Sequence, residues 1–364
     1  MTLALHGIGT ALPEHTLSQS DAVDLHTSFC RIDPKRARTL RALYRRSRID
    51  RRHSVLFEAS EGPIETRQGF YGRSAGDDDR GPTTAERMSA YARLAPGLAV
   101  RAASGALENG GVEAREVTHL VTVSCTGFVS PGVDSALIER LGLDADTERT
   151  HVGFMGCHGA LNGLRVARSF VTQDPSAVPL VCALELCTLH FSYGWDPDML
   201  VANSLFADGA AALVGRAGDD DTEERWRVVA TGTTLMADSA DAMTWQIGDH
   251  GFRMTLSPRV PELIEANLAA WLDDWLRGSG LRRSDVGSWA VHPGGPRILT
   301  SVERALDLAQ DELAVSREVL RTHGNMSSPT ILFIIDRLRR RKAPRPCVAL
   351  AFGPGLVVEA SLLM

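Results

Sequence analysis

Gly153-Phe-Met-Gly-Cys-His-Gly-Ala160 decides how the chain is read, because a single cysteine stands between glycines where a β-rich run gives way to a helical one. Thr150, His151, Val152 and Phe154 read as a short strand before it, and Ala160, Leu161, Leu164, Ala167, Phe170 and Val171 follow at helical spacing. A cysteine on such a turn faces the positive end of the helix dipole, where a thiolate is stabilised. Gly156 and Gly159 leave the approach to the sulfur open and permit a sharp backbone. Cys157 is therefore the candidate nucleophile. A lone cysteine is also often a small buried apolar residue at a strand–helix contact, so the chemical reading needs partners.

Working outward, strands and helices alternate. Residues 3–12 read as an opening strand, 84–109 as a long amphipathic helix stopped by Gly110-Gly111, and 120–125 and 179–185 as β-branched or apolar strands. After residue 226 the same grammar returns: strands at 227–234, 288–292 and 347–352, and helices at 258–276, 302–308, 316–321 and 330–338. Alternation of this kind implies an α/β layered fold. Residues 215–225, with Gly218 and Asp219-Asp-Asp221, are the candidate linker, dividing the chain into residues 1–220 and 221–364 as two halves of a duplicated plan.

Composition narrows the function. With 364 residues, 44% hydrophobic and 23% charged, the chain can bury a sizeable core, and a net charge of −6 disfavours nucleic-acid binding. Its six cysteines lack zinc-site spacing and no secretory leader precedes them, so they read as reduced thiols in the cytoplasm. No apolar run is long enough for a membrane helix, since the one from Val178 to Cys187 is interrupted by Glu185. Residues 36–52 hold eight arginines on an expected helix ending near Ile49. A solvated face is the default reading of such a run, and a fork of donors for phosphate groups is the functional one. Residues 60–84 read as a polar loop without assignable chemistry.

Two further residues share the glycine-rich setting of Cys157. His292 ends a strand before Pro293-Gly-Gly-Pro296, and Asn325 follows Gly324. Singly, the histidine could cap a turn and the asparagine could occupy a left-handed turn position. Together with Cys157 they form a chemical set, in which a thiol gains a base or imidazolium partner and the His and Asn donors stabilise a developing oxyanion.

Gly153-Phe-Met-Gly-Cys-His-Gly-Ala160, Trp289-Ala-Val-His-Pro-Gly-Gly-Pro296, His323-Gly-Asn-Met-Ser-Ser328 and Phe352-Gly-Pro-Gly355 resemble, in order and spacing, the signature blocks of type III polyketide synthases, the chalcone synthase family. The resemblance runs over most of the chain and is weakest in the first ~80 residues. It implies a thiolase-like αβαβα fold in two pseudo-duplicated halves and a homodimer. Cys157 would carry the starter and the growing polyketide as a thioester, while His292 and Asn325 hold the malonyl-CoA carbonyl during decarboxylation. Coenzyme A thioesters would be the substrates, without metal or redox cofactor.

Further site residues follow from the same resemblance. Phe206 matches a gatekeeper between the coenzyme A tunnel and the cavity, and Met254 stands where plant members have a second gatekeeper phenylalanine. Core filling is the plain alternative for both. Cys125 and His190 replace threonines of plant members, and Trp245 stands where a glycine shapes the plant cavity. Gly353 and Pro354 belong to the substrate-binding Gly-Pro-Gly turn, Arg41, Arg45 and Arg46 fall near the coenzyme A contacts, and Ser130 replaces a methionine that crosses the plant dimer interface.

These departures argue against a chalcone product. The bacterial look of Cys125-Thr-Gly-Phe128 and Gly153-Phe-Met-Gly156 points to an acyl-CoA starter, malonyl-CoA extenders and a resorcinol, pyrone or related phenolic product. A ketoacyl-ACP synthase III-like enzyme is the nearest alternative, disfavoured by the residues after His292 and by the Gly353-Pro-Gly355 turn. A Cys-His-Asn hydrolase is disfavoured by the α/β alternation, and a silent scaffold by the intact set of three.

Overall fold

The structure is a computed structural model that describes residues 1–218 and 225–364. The expected linker falls largely, and the 220/221 division wholly, outside the described residues.

β1 (Thr2–Ala11) crosses the middle of the main sheet. β2 (Thr16–Ser18) leads into α1 (Gln19–Phe29), where the Ser18 hydroxyl accepts the Asp21 N–H as an N-cap. α2 (Pro34–Arg46) is capped by Asp33 and has proline at its first position. The arginine-rich segment is not one helix running to Ile49. α2 stops at Arg46, Arg48 takes a left-handed φ of 56°, and β3 (Arg51–His53) pairs with β2.

The first half continues with α3 (Thr84–Gly110), β4 (His119–Ser124), α4 (Val133–Leu141), β5 (Glu148–Gly153), α5 (Gly159–Gln173), β6 (Pro179–Leu186), α6 (Pro197–Leu205) and β7 (Asp208–Gly218). The second supplies β8 (Arg227–Leu235), the hairpin β9 (Met243–Gly248) and β10 (Gly251–Leu256), α7 (Val260–Arg277), β11 (Ser288–Val291), α8 (Pro296–Leu306), α9 (Ala314–His323), α10 (Thr330–Arg340), β12 (Cys347–Gly353) and β13 (Val357–Leu363). Two departures from expectation stand out. The β9–β10 hairpin was not foreseen, and α8 begins at Pro296, as proline at a helix start permits, rather than near Val302.

Among the described residues nine strands form one sheet in the order β11-β12-β13-β8-β1-β7-β6-β4-β5. β4 is parallel to β5 and β6, β11 is parallel to β12, and the halves meet at the short antiparallel pairing of Leu3 and Ala4 with Val228 and Arg227. Three apolar clusters make the layers. α3 packs on the outer face of the first half, α7 and α8 on the outer face of the second, and α5 with α10 lies between them. This is the αβαβα arrangement, and its buried central helices read as apolar on more than one face. No described helix is long and apolar enough to cross a membrane.

The contact of β1 with α3 depends on missing side chains. A Cβ on Gly7 would lie 2.1 Å from the Ala106 carbonyl oxygen, and one on Gly9 would lie 2.2 Å from that of Ala102. Both obstacles are helix backbone, which cannot step aside as a flexible side chain can. Gly9→Ala should therefore destabilise the protein by roughly 3 kcal/mol, which denaturant titration against the unaltered chain would measure.

Candidate active site

Cys157 sits in a single 3-10 turn, Gly156–His158, between β5 and the first residue of α5. Two unusual backbone conformations precede it. Phe154 has φ 60° and Gly156 φ 69°, and a Cβ on Gly156 would come within 2.6 Å of Pro354 Cδ. The glycine thus lets the Pro354 turn close over the cysteine, and the strain at Phe154 is of the kind that gathers at functional sites.

The thiol is held between opposing influences. Burial pushes it up to about 11, hydrogen bonds from Ser327 and Asn325 pull it down, and the Glu185 charge pushes it up. A freely ionised thiolate, as the helix-start position alone suggested, is not what the protein environment favours in the resting site; a base must take the proton. Asn325 and Ser327 lie on the loop between α9 and α10. Ser327 adopts φ 55° and donates its N–H to Asn325 Oδ1 at 2.8 Å, which fixes the carboxamide orientation. The Asn325 Nδ2 lies 3.4 Å from the Gly294 carbonyl, in the turn that follows His292.

His292 stands just past β11 and is 1% exposed. Neither ring nitrogen finds a hydrogen-bond partner among the described residues. Burial first, then the neighbouring His158, lowers its pKa to about 3, so the ring is neutral at working pH and can donate from one nitrogen and accept at the other. His158 follows the cysteine directly and is itself fixed, with its Nδ1 2.7 Å from Asn162 Oδ1. The asparagine thus acts on the cysteine's ionisation, the histidine stands beside the residue that follows the cysteine, and Ser327 Oγ also lies 3.5 Å from the Cys125 sulfur.

Above the thiol is a mostly apolar cavity. Phe206, Met254, Cys125, His190, Trp245 and Pro354 all line it, as does Cys157. His190 accepts the Phe252 N–H at Nδ1 (3.0 Å), so its Nε2–H donates to the Thr126 carbonyl at 2.7 Å, and burial lowers its pKa to about 3. Trp245 Nε1 donates to the Cys125 carbonyl at 2.8 Å, closing the β9–β10 hairpin over the cavity. Gly353 is placed differently from expectation. It is not part of the lining and lies behind the floor, where a Cβ would be 2.1 Å from His158 Cδ2.

A groove opens beside α2 and shares Tyr44 with the cavity. Arg41 and Arg45 line it with Arg38, which lies on the same face of α2 at spacings of three and four, joined by Arg48 just beyond the helix end and by Arg317 and Arg321 from α9. Arg46, expected with them, is exposed but does not line the groove.

Sequence reasoning missed several members of the site. Ser327 lay inside a quoted block without a role. Glu185 was noted as an interruption of an apolar run, which is the signal that could have found it. It is fully buried, accepts from Cys125 N–H (2.9 Å), Thr126 Oγ1 (2.7 Å) and Ser328 Oγ (2.7 Å), and so ties the Cys125 loop to the Asn325 loop. Gln68 and Tyr71, from the loop given no chemistry, also reach the cavity wall. Among the described residues no cluster of three or more His, Cys, Asp or Glu is placed to hold a metal ion.

Comparison with known proteins bears on the whole chain. Residues 2–219 match the family model for chalcone and stilbene synthases, N-terminal domain, and residues 227–364 match that for the C-terminal domain. An alpha-pyrone synthesis polyketide synthase-like protein of Mycobacterium tuberculosis is 32% identical over 98% of this chain and 90% of its own. A 1,3,6,8-tetrahydroxynaphthalene synthase of Streptomyces peucetius is 34% identical over 98% and 91%. The crystal structure of PKS-I from the brown alga Ectocarpus siliculosus superposes with a TM-score of 0.91 at 30% identity, covering 100% of this chain and 98% of that one.

The hydrogen bond from Ser327 gives a direct test of how the thiol is tuned. Ser327→Ala removes a group that favours the thiolate, so alkylation of Cys157 by iodoacetamide at neutral pH should slow about tenfold, one pKa unit's worth, as followed by peptide mass spectrometry.

Proposed function

Since the chain belongs to the chalcone and stilbene synthase family of type III polyketide synthases, we propose that Cys157, His292 and Asn325 perform its decarboxylative condensation, and that the arginine groove receives the coenzyme A ends of its substrates. The observation that carries this reading is the shared setting of the three groups. The Cys157 thiol lines the apolar cavity and the Asn325 carboxamide acts on it, while His292, buried with unpartnered ring nitrogens, stands beside His158, the residue after the cysteine; His292 and Asn325 are not themselves among the lining residues.

Loading begins when the Cys157 sulfur, its proton taken by His292, attacks the carbonyl of an acyl-CoA. The carbon–sulfur bond to coenzyme A breaks, and the coenzyme A thiolate leaves with a proton. Malonyl-CoA then enters along the same route. The bond to its carboxylate breaks, carbon dioxide departs, and the electron pair moves toward the thioester oxygen, where N–H donors of His292 and Asn325 stabilise the enolate. Its carbon attacks the Cys157 thioester and expels the sulfur, and the lengthened chain is reloaded. The protein positions groups and stabilises charge in an apolar cavity lined by Phe206, Met254 and Trp245. Arg38, Arg45 and Arg48 offer the forked donors that phosphate groups require, beside Arg41, Arg317 and Arg321, which are paired with Asp24, Glu303 and Asp50.

The product we infer is a pyrone or a resorcinol-type phenol. Relatives are named for alpha-pyrone, tetrahydroxynaphthalene and 3,5-dihydroxyphenylacetyl-CoA synthesis, and the apolar wall of this cavity suits an acyl starter followed by malonyl extension. The working form is a cytoplasmic homodimer. Phe128, Val129 and Met155, exposed by 40, 38 and 39% beside the nucleophile turn, supply an apolar surface for the partner.

Incubation of the purified protein with malonyl-CoA and a panel of acyl-CoAs, read by mass spectrometry, tests the reading; absence of pyrones and resorcinols together with undiminished malonyl-CoA would sink it. Cys157→Ala should abolish acyl loading while leaving the circular dichroism spectrum unchanged. Trp245→Gly removes the indole that closes the cavity, and the same assay should then show products at least one malonyl unit longer; an unaltered product set would remove Trp245 from the list of length-setting residues.

A further inference from the structure

The C-terminal end of α6 presents the carbonyls of Asn203, Ser204, Leu205 and Phe206, which no further helical turn satisfies. Each is met from elsewhere in the chain. Arg52 Nη1 donates to the Asn203 oxygen at 2.7 Å and to the Phe206 oxygen at 2.9 Å. Tyr44 Oη donates to the Asn203 oxygen at 3.3 Å, and Gln19 Nε2 to the Ser204 oxygen at 2.8 Å. The Leu205 oxygen accepts the backbone N–H of Asn325 at 2.9 Å, and Ala207 N–H returns a bond to the Asn325 oxygen, also at 2.9 Å. The gate residue Phe206 and Asn325 are thus joined as a parallel β-bridge.

Arg52 is central to this cluster. It is 8% exposed, its guanidinium lies 5.7 Å from the Tyr44 ring centre, and its charge faces the negative end of the α6 dipole. Its stem passes the residue before Asn325 so closely that a Cβ on Gly324, which has φ 76°, would lie 2.9 Å from Arg52 Cγ. Both hydrogens of one guanidinium nitrogen are engaged by carbonyls three residues apart, a fork that a lysine ammonium on a thinner stem reproduces less well. Gln19, Tyr44 and Arg52 belong to α1, α2 and β3, the layer that also carries the arginine groove.

We propose that Arg52 is a positioning residue. With Gln19 and Tyr44 it clamps the end of α6, sets the Phe206 gate, and through the bridge holds the Asn325 carboxamide in register with the Cys157 sulfur. The inference rests on Asn325 acting as the donor to the thioester carbonyl. The groove that admits coenzyme A and the amide that meets its thioester are then fixed by one buried polar cluster.

Arg52→Met keeps the stem and removes the donors. Malonyl-CoA decarboxylation should fall about tenfold in kcat, with KM changed less than about twofold and one Cys157 still alkylated per chain, so that the loss is not inactive protein. Arg52→Lys should recover part of that loss. In an Asn325→Ala background the Arg52→Met substitution should cost less than about twofold, because the group it positions is gone. If Arg52→Met fails to fold, Gln19→Leu, which removes the donor to the Ser204 oxygen, should show the same kcat-only loss and the same dependence on Asn325. Unchanged kcat in folded Arg52→Met, or losses that multiply fully with Asn325→Ala, would overturn the proposal. A wild-type protein that never decarboxylates malonyl-CoA would instead count against the functional reading itself.

Discussion

Burial of one thiol imposes the main constraint on this molecule. On the proposed chemistry a thioester must be kept from water, yet removing the Cys157 sulfur from water disfavours its ionised form. The surroundings answer with local donors in place of solvent. Ser327 and Asn325 hydrogen-bond the thiol, and α5 begins two residues later with its N-terminal amides facing the turn. His292 is buried and neutral, with both ring nitrogens unpartnered. Geometry at the turn serves the same end, since the left-handed Phe154 and Ser327 are strained conformations that bring the sulfur and its donors together.

Holding donors to that tolerance requires the two halves of the chain to be tied at the site as well as through the sheet. The sheet joins them at two residue pairs between β1 and β8, a narrow seam far from the thiol in sequence. Closer in, the Glu185 carboxylate collects the Cys125 loop of the first half and Ser328 of the second, and the Phe206–Asn325 bridge does likewise. Buried polar groups are costly unless every bond is made, and here a few of those bonds, from Ser328 to Glu185 and between Asn325 and residues 205 and 207, cross the boundary between halves. Stability and catalytic alignment therefore draw on the same contacts.

Much of this was legible in the residues. The cysteine between glycines, the strand that ends at His292 and the Gly-Asn pair at 324–325 marked their own positions, because sharp turns next to strands and helices need specific residue types. The layered α/β class followed from alternating periodicity. What the sequence hid was long-range. Nothing local to Arg46 separates it from Arg45, yet the phase of α2 places one on the groove wall and not the other. Ser327 looks like any loop serine until its φ and its hydrogen bonds are known. Arg52 was one arginine of eight, and its burial depends on α6, about 150 residues away. The β9–β10 hairpin, by contrast, was legible: Met243-Thr-Trp-Gln-Ile247 and Phe252-Arg-Met-Thr-Leu256 each alternate apolar and polar residues around the Gly248-Asp-His-Gly251 turn.

That hairpin has a bearing on how such a protein diversifies. It forms its own two-stranded sheet, separate from the nine-stranded one, and it lends Trp245 and Met254 to the cavity while supplying none of the reacting groups. Substitutions there can remodel the mould in which a chain coils before it cyclises, without disturbing the layers that align sulfur, imidazole and amide. Selection on metabolite shape can thus proceed on an appendage, leaving the engine of carbon–carbon bond formation untouched.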